Sequence, residues 1–237
     1  MIKAAADLHI HSCLSPCASL DMTPNNIVHM AKLKQLDIIA VCDHNHTGNL
    51  KAVSAVAKKQ GILLLPGLEL ETSEEIHLLC YFPSLDAAMH MQSALNPYYR
   101  NIPNKEEIFG PQWILDAEDE QIEKIEFLLT ASTKLDLYQA VAMVRGFGGA
   151  AVPAHVDRES YSILSNLGCI PEDMSFHTLE ISRYTTSEAF LERYPGHSDK
   201  KFITSSDAHD LGMILEREAF INLEECSIAC LIHELTR

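Results

Sequence analysis

Ile2-Lys3-Ala4-Ala5-Ala6-Asp7-Leu8-His9-Ile10-His11 decides the reading of this chain. Its apolar run predicts a strand, and two histidines two residues apart on an extended backbone point the same way, so both imidazoles can aim at one point. Ser206-Asp207-Ala208-His209 repeats that spacing near the other end. Between the two doublets lie Asp43-His44, Glu69, His77 and His155, each just after or within an apolar β-like run. That recurrence points to a cluster of metal ions held by residues distant in sequence.

The 237 residues, 47% of them apolar and without a biased tract, suit one enzyme-sized domain over 1–237. No apolar run approaches the roughly 20 residues of a membrane helix. Met1-Ile2-Lys3 leads into the first strand without signal-peptide anatomy, so a cytoplasmic location and no membrane partner are expected. Seven cysteines (Cys13, Cys17, Cys42, Cys80, Cys169, Cys226, Cys230) are scattered and odd in number, and read as reduced thiols. The net charge of −15 argues against extended nucleic-acid binding, because phosphate-backbone affinity comes mainly from clustered Lys and Arg.

Hydrophobic runs and turn signals alternate as strand and helix, the pattern of a mainly parallel α/β sheet or barrel. Strands are predicted over 2–8, 37–42, 62–66, 76–82, 149–154, 178–181, 202–204 and 219–223. Helices are predicted from Thr23-Pro24 onward and near 49–60, 85–95, 135–145, 187–193 and 226–235. Residues 96–133 break the rhythm and read as an inserted arm. In it Ile122, Ile125 and Leu129 keep helical spacing in an acidic run, predicting a helix with one apolar stripe. Candidate ligands mostly follow strands, where the loops of parallel α/β folds carry chemistry. His77 starts its strand instead, so either that strand runs against its neighbours or the true ligand is another residue. Gly146-Phe147-Gly148-Gly149 reads as a helix stop and turn, not a phosphate loop.

Taken in order, Asp-x-His-x-His-Ser, Asp43-His44, Pro66-Gly67-x-Glu69, His77, Pro153-Ala154-His155 and Ser206-Asp207-x-His209 resemble the polymerase and histidinol phosphatase (PHP) family. The resemblance implies a distorted (β/α)7 TIM-like barrel. It also implies two or three divalent ions (Zn, Mn or Fe) at the mouth and hydrolysis of a phosphate mono- or diester of a small molecule or nucleotide. His9, His11, His44, Glu69, His77, His155, Asp207 and His209 match the family's ligand motifs. The ninth ligand departs from the pattern: Cys17 stands where related members carry His, with Asp21 as the alternative. A thiolate there would favour soft or borderline ions over magnesium.

Glu69 is the expected bridge between ions, with Asp207 and His209 beside it in catalysis, and a water bridging the ions as nucleophile. Asp7 and Asp43 are candidates to orient ligand histidines, or else turn formers. Arg158 and Arg183 are candidate phosphate contacts. His46 either protonates the leaving group or caps a helix. His29, His90, His177, His197 and His233 read as ordinary surface or core residues. Two rival readings remain. One is an amidohydrolase-like metal hydrolase, disfavoured because no Lys stands at a strand end before Glu69. The other is a non-catalytic metal- or nucleotide-binding module.

Overall fold

A computed structural model describes all 237 residues. In chain order the elements are β1 (Ile2–Ile10), α1 (Pro24–Leu33), β2 (Ile38–Val41), α2 (Leu50–Gln60), β3 (Leu63–Leu64), β4 (Gly67–Glu71) and β5 (His77–Tyr81). There follow α3 (Leu85–Leu95), α4 (Glu106–Phe109), β6 (Trp113–Leu115), β7 (Gln121–Lys124), α5 (Leu137–Gly146) and β8 (Ala150–Pro153). The chain ends with α6 (Ile163–Leu167), β9 (Thr178–Ser182), α7 (Ser187–Arg193), β10 (Lys201–Ser205), β11 (Phe220–Leu223) and α8 (Ile228–Leu235). No helix is long and apolar enough to cross a membrane.

β1 is buried from Ala4 onward because it has neighbours on both edges: antiparallel β11 along its first half and parallel β2 along its second. Thr23 caps α1 by accepting from Asn26 N, and Pro24 occupies its first turn, as that sequence predicts. Gly61, at φ 71°, closes α2 in the left-handed conformation. A larger apolar core lies among helices and strands, and a second one, with Leu8, Ala40, Leu79, Val152 and Leu223, lies among the strands.

All eight predicted strands are present, but the expected (β/α)7 barrel is not formed as a closed ladder. Hydrogen bonding divides the strands into a four-stranded sheet (β11-β1-β2-β3), a three-stranded one (β4-β5-β8) and two pairs (β9-β10 and β6-β7). Single links join them instead: Ile10 bridges Ala208, His44 bridges Glu69, and Val156 N–H donates to Glu180 O. The fold is therefore a mixed α/β arrangement whose strand ends meet at one rim. β5 runs antiparallel to both β4 and β8, which brings the N-terminal end of β5, and with it His77, to that rim.

The arm departs from its predicted form. Its acidic run is a β-hairpin of β6 and β7, not a helix. Asp116 causes the turn: its Oδ1 accepts from Glu118 N and Glu120 N at 3.0 and 2.8 Å. Ile122 consequently points to solvent, while Ile125 and Leu129 pack on Leu14. Asp119 ties the hairpin to the start of α1 through Thr23 Oγ1 at 2.6 Å and Asn25 N at 3.1 Å.

Candidate metal centre

At the rim, Glu69 is buried and its two oxygens face five imidazoles. Oε1 lies 2.8 Å from His77 Nδ1, 3.3 Å from His155 Nε2 and 3.4 Å from His9 Nε2. Oε2 lies 3.1 Å from His44 Nδ1 and 3.3 Å from His11 Nε2. Asp207 Oδ1 adds a second carboxylate 3.1 Å from His11 Nε2 and 3.4 Å from His9 Nε2. The His209 ring stacks on His11 at 4.3 Å. The eight motif residues thus converge, as the sequence reading expected. Three groups among them bring one ligand atom each within 4.8 Å of one another: His11, His44 and His209; His9, His11 and Glu69; His44, Glu69 and His77.

The imidazoles are oriented by buried partners. His9 Nδ1 lies 3.1 Å from both oxygens of Glu180, an acid in the middle of β9 whose Oε2 also accepts from His155 N at 2.9 Å. His11 Nδ1 is 2.9 Å from Ser15 Oγ, which donates to Asp43 Oδ1 at 2.7 Å. Asp43 therefore reaches the His11 ring only through a serine. Asp7 meets no imidazole. Its oxygens accept from Ser206 N and Leu215 N at 3.0 and 2.9 Å and so pin the loop that carries Asp207. Sequence reasoning missed Ser15, Glu180 and Glu71, whose Oε2 lies 3.6 Å from His77 Nε2. The available signals were an acid inside the apolar strand Leu179-Glu180-Ile181 and Glu71 at i+2 from Glu69.

These tautomers test whether a cation fits. With Nδ1–H of His9 and His11 directed at Glu180 and Ser15, both Nε2 atoms present lone pairs to each other at 3.1 Å, an arrangement that calls for positive charge between them. His44 Nδ1 and His77 Nδ1 face Glu69 without hydrogen-bond geometry, and the remaining ring nitrogen of His155, Nδ1, is buried without a partner. A nitrogen-and-carboxylate donor set of this kind suits transition-metal ions. Without cations the charges lean on one another. Burial opposes ionisation of Glu69, yet His77, His9 and His44 hold its carboxyl well below the usual range. Burial likewise opposes charge on His77, but Glu69 and Glu71 raise it to about 9. Burial, then His11, push His209 down to about 3. The backbone is strained here as well: Asn45, His155 and Asp207 hold φ of 50°, 30° and 50°.

Other expected residues lie at or beyond the edge. Cys17 is exposed, which removes the reading of it as a buried apolar cysteine. It belongs to none of the three groups, though its thiol reaches His44. Asp21 is exposed, and its carbonyl accepts from Asn26 Nδ2. Arg158 Nη1 is 2.7 Å from Asp207 Oδ2, placing it at the mouth. Arg183 is a correction: it donates to Met213 O and borders a separate groove of about 600 Å³ that shares no residue with the cluster. His46 Nδ1 accepts from Gly48 N at 2.9 Å, and burial lowers the ring to about 4.

A 5'-3' exoribonuclease of Haemophilus influenzae is 31% identical over 97 residues, 38% of this chain and 34% of that one. The solved lesion-specific endonuclease PfuEndoQ from Pyrococcus furiosus superposes with a TM-score of 0.70 at 18% identity, over 99% of this chain and 56% of its own. Endonuclease Q in complex with a 27-mer duplex bearing an abasic lesion at the active site gives 0.66 at 19%, over 97% and 55%. The chain thus spans about a third of that relative and just over half of these structures' chains. These likenesses overturn the expectation, drawn from a charge of −15, that extended nucleic-acid binding is disfavoured. Net charge alone does not decide the matter, because cations bound among acidic groups can reverse the potential locally. The PHP domain model matches residues 7–158, from Asp7 through Arg158, and the chain belongs to the PHP domain family.

Proposed function

We propose that this chain is a metal-dependent phosphoesterase acting on phosphoester bonds of nucleotides or nucleic acid. The observation that carries the reading is the convergence of five imidazoles on both oxygens of Glu69. In this reading residues 1–237 act as one unit with an inserted arm at 96–133, because Glu180, Asp207 and His209 meet ligands from the first half.

Divalent cations, two or three of Zn, Mn or Fe in this reading, would lower the pKa of a water and neutralise phosphoryl charge. His9, His11, His44, Glu69, His77, His155, Asp207 and His209 would hold them, with Cys17 in reach of His44. Glu180 and the Ser15–Asp43 pair fix which nitrogen of His9 and His11 faces inward. Arg158, paired with Asp207 at 2.7 Å, would turn to a phosphoryl oxygen when substrate enters. The amidohydrolase alternative has no residue for its bridging lysine, since no lysine is among the buried polar residues.

The test is metal-loaded protein offered mononucleotides, end-labelled single-stranded and duplex oligonucleotides, and amide and lactone substrates. Phosphoester cleavage is expected. Glu69→Gln should cut the rate by more than the roughly 10- to 100-fold typical of losing an outer hydrogen-bond partner. Metal-loaded protein that binds nucleotides but cleaves none of the esters would instead establish a binding module.

A further inference from the structure

We propose that Tyr161 is a stacking platform for a base of the substrate, set beside the metal centre. The inference rests on the nucleotide phosphoesterase reading and adds how the non-reacting part of the substrate is held.

Tyr161 is 46% exposed although its ring lies on His77, with centroids 4.9 Å apart and planes 24° from parallel. A ring covered on one side by a buried histidine and still half accessible offers its other face to solvent at the rim. No hydrogen bond holds its hydroxyl among those that order the neighbouring loop, so the ring, not the phenol, is the part the site displays. The backbone is committed to this placement. Tyr161 holds φ of 56°, which a bulky aromatic residue rarely adopts, and its carbonyl accepts from His77 N at 2.9 Å.

The loop delivering it is rigid and rich in site residues. Arg158 N donates to His155 O at 2.9 Å, Ser162 Oγ donates to Arg158 O at 2.7 Å, and Ser162 then caps α6. One seven-residue stretch therefore presents a candidate ligand (His155), a cation for phosphate (Arg158) and an open aromatic face (Tyr161). Phosphate, sugar and base occur in that order in a nucleotide, and every base has a π-face, so such a platform would accept nucleotides without strong base preference.

The experiment compares a nucleoside monophosphate with the matching ribose phosphate on the metal-loaded protein, by steady-state kinetics and by calorimetric binding. Tyr161→Asn removes the ring with a residue that tolerates the left-handed backbone, and Tyr161→Phe keeps the ring. Tyr161→Asn should raise KM and Kd for the nucleotide roughly 5- to 100-fold, leave ribose phosphate unchanged, and leave kcat nearly intact. Tyr161→Phe should behave as wild type. Equal losses on both ligands would overturn the platform and make Tyr161 a cover for His77, as would nucleotide binding indifferent to the loss of the ring. If wild type cleaves neither ester, the phosphoesterase reading falls, and the binding comparison alone decides on the platform.

Discussion

Replacing Glu180 by Gln tests the least anticipated part of the site. Glu180 is 2% exposed, and its two oxygens each lie 3.1 Å from His9 Nδ1, with Oε2 also accepting from His155 N at 2.9 Å. An amide keeps the shape but turns one oxygen into an NH2. If the remaining oxygen sits at the Oε2 position, both donors keep an acceptor, but the new N–H abuts His9 Nδ1–H and the anion that makes His9 a better ligand is gone. If the amide flips, its oxygen stays 3.1 Å from His9 Nδ1 but the buried His155 N–H loses its acceptor, at a cost of about 1–3 kcal/mol in the metal-free protein. In a chain of this size that is roughly 2–4 °C of melting temperature per kcal/mol. Loss of such a partner weakens metal affinity by about 10- to 100-fold. Calorimetric titration of demetallated protein with zinc or manganese measures the affinity, and thermal melting in chelator measures the stability. An affinity within about twofold of wild type would refute the claim that Glu180 sets the His9 tautomer.

Two further outcomes follow from the charges and from the rim. His77, raised from 6.5 to about 9, stabilises the metal-free fold fully below pH 6.5, and that contribution of up to ~3 kcal/mol is lost as pH rises through about 9. Glu69 and Asp207 are depressed and change only in acid, so chelator-treated protein should melt progressively lower from pH 6.5 to above 9. Metal affinity should move oppositely, rising with pH as cations displace the same protons, and a melting temperature flat across that range would contradict the assignment. Cys17→Ser should weaken zinc more than manganese, with Asp21→Asn silent in both. Equal metal content and rate in Cys17→Ser would remove that thiol from the ligand set.

Sequence spacing was informative where one residue's direction depends only on its neighbours. The His9/His11 doublet and the strand ends before His44 and His155 follow from local periodicity, whereas Asp207 and His209 reach the rim from beyond β10, with Asp207 at φ 50° and so not by strand alternation. His77 was ambiguous because strand direction is a tertiary property, decided by pairing of Glu71 with His77 across an antiparallel ladder. The stretch at 122–129 imitated a helix because Ile122, Ile125 and Leu129 keep helical spacing, whereas it follows the turn that Asp116 closes with its own side chain and begins in β7. Strand β4 was not predicted, since the preceding strand was ended at Pro66; in it Gly67 is the residue whose missing side chain lets Cys42 Sγ approach to 2.8 Å of where a Cβ would stand. Glu180 and Arg183 show the same limit from opposite sides. A lone acid in an apolar strand looked incidental and is buried against His9, while a loop arginine at a strand end looked suited to phosphate and bonds to Met213 O instead. Ring closure was inferred from family likeness, and hydrogen bonding between separate sheets is too sparse for it.

Asp207, from near the end of the chain, meets the same His9 and His11 that face Glu69, and Asp7 separately grips the backbone at Ser206 and Leu215. An ion held by these groups would act as a clasp between the first strand and the last strands of the polypeptide. Its full donor set would assemble only once the last strands have docked, so removing it should loosen the seam between first and last strands.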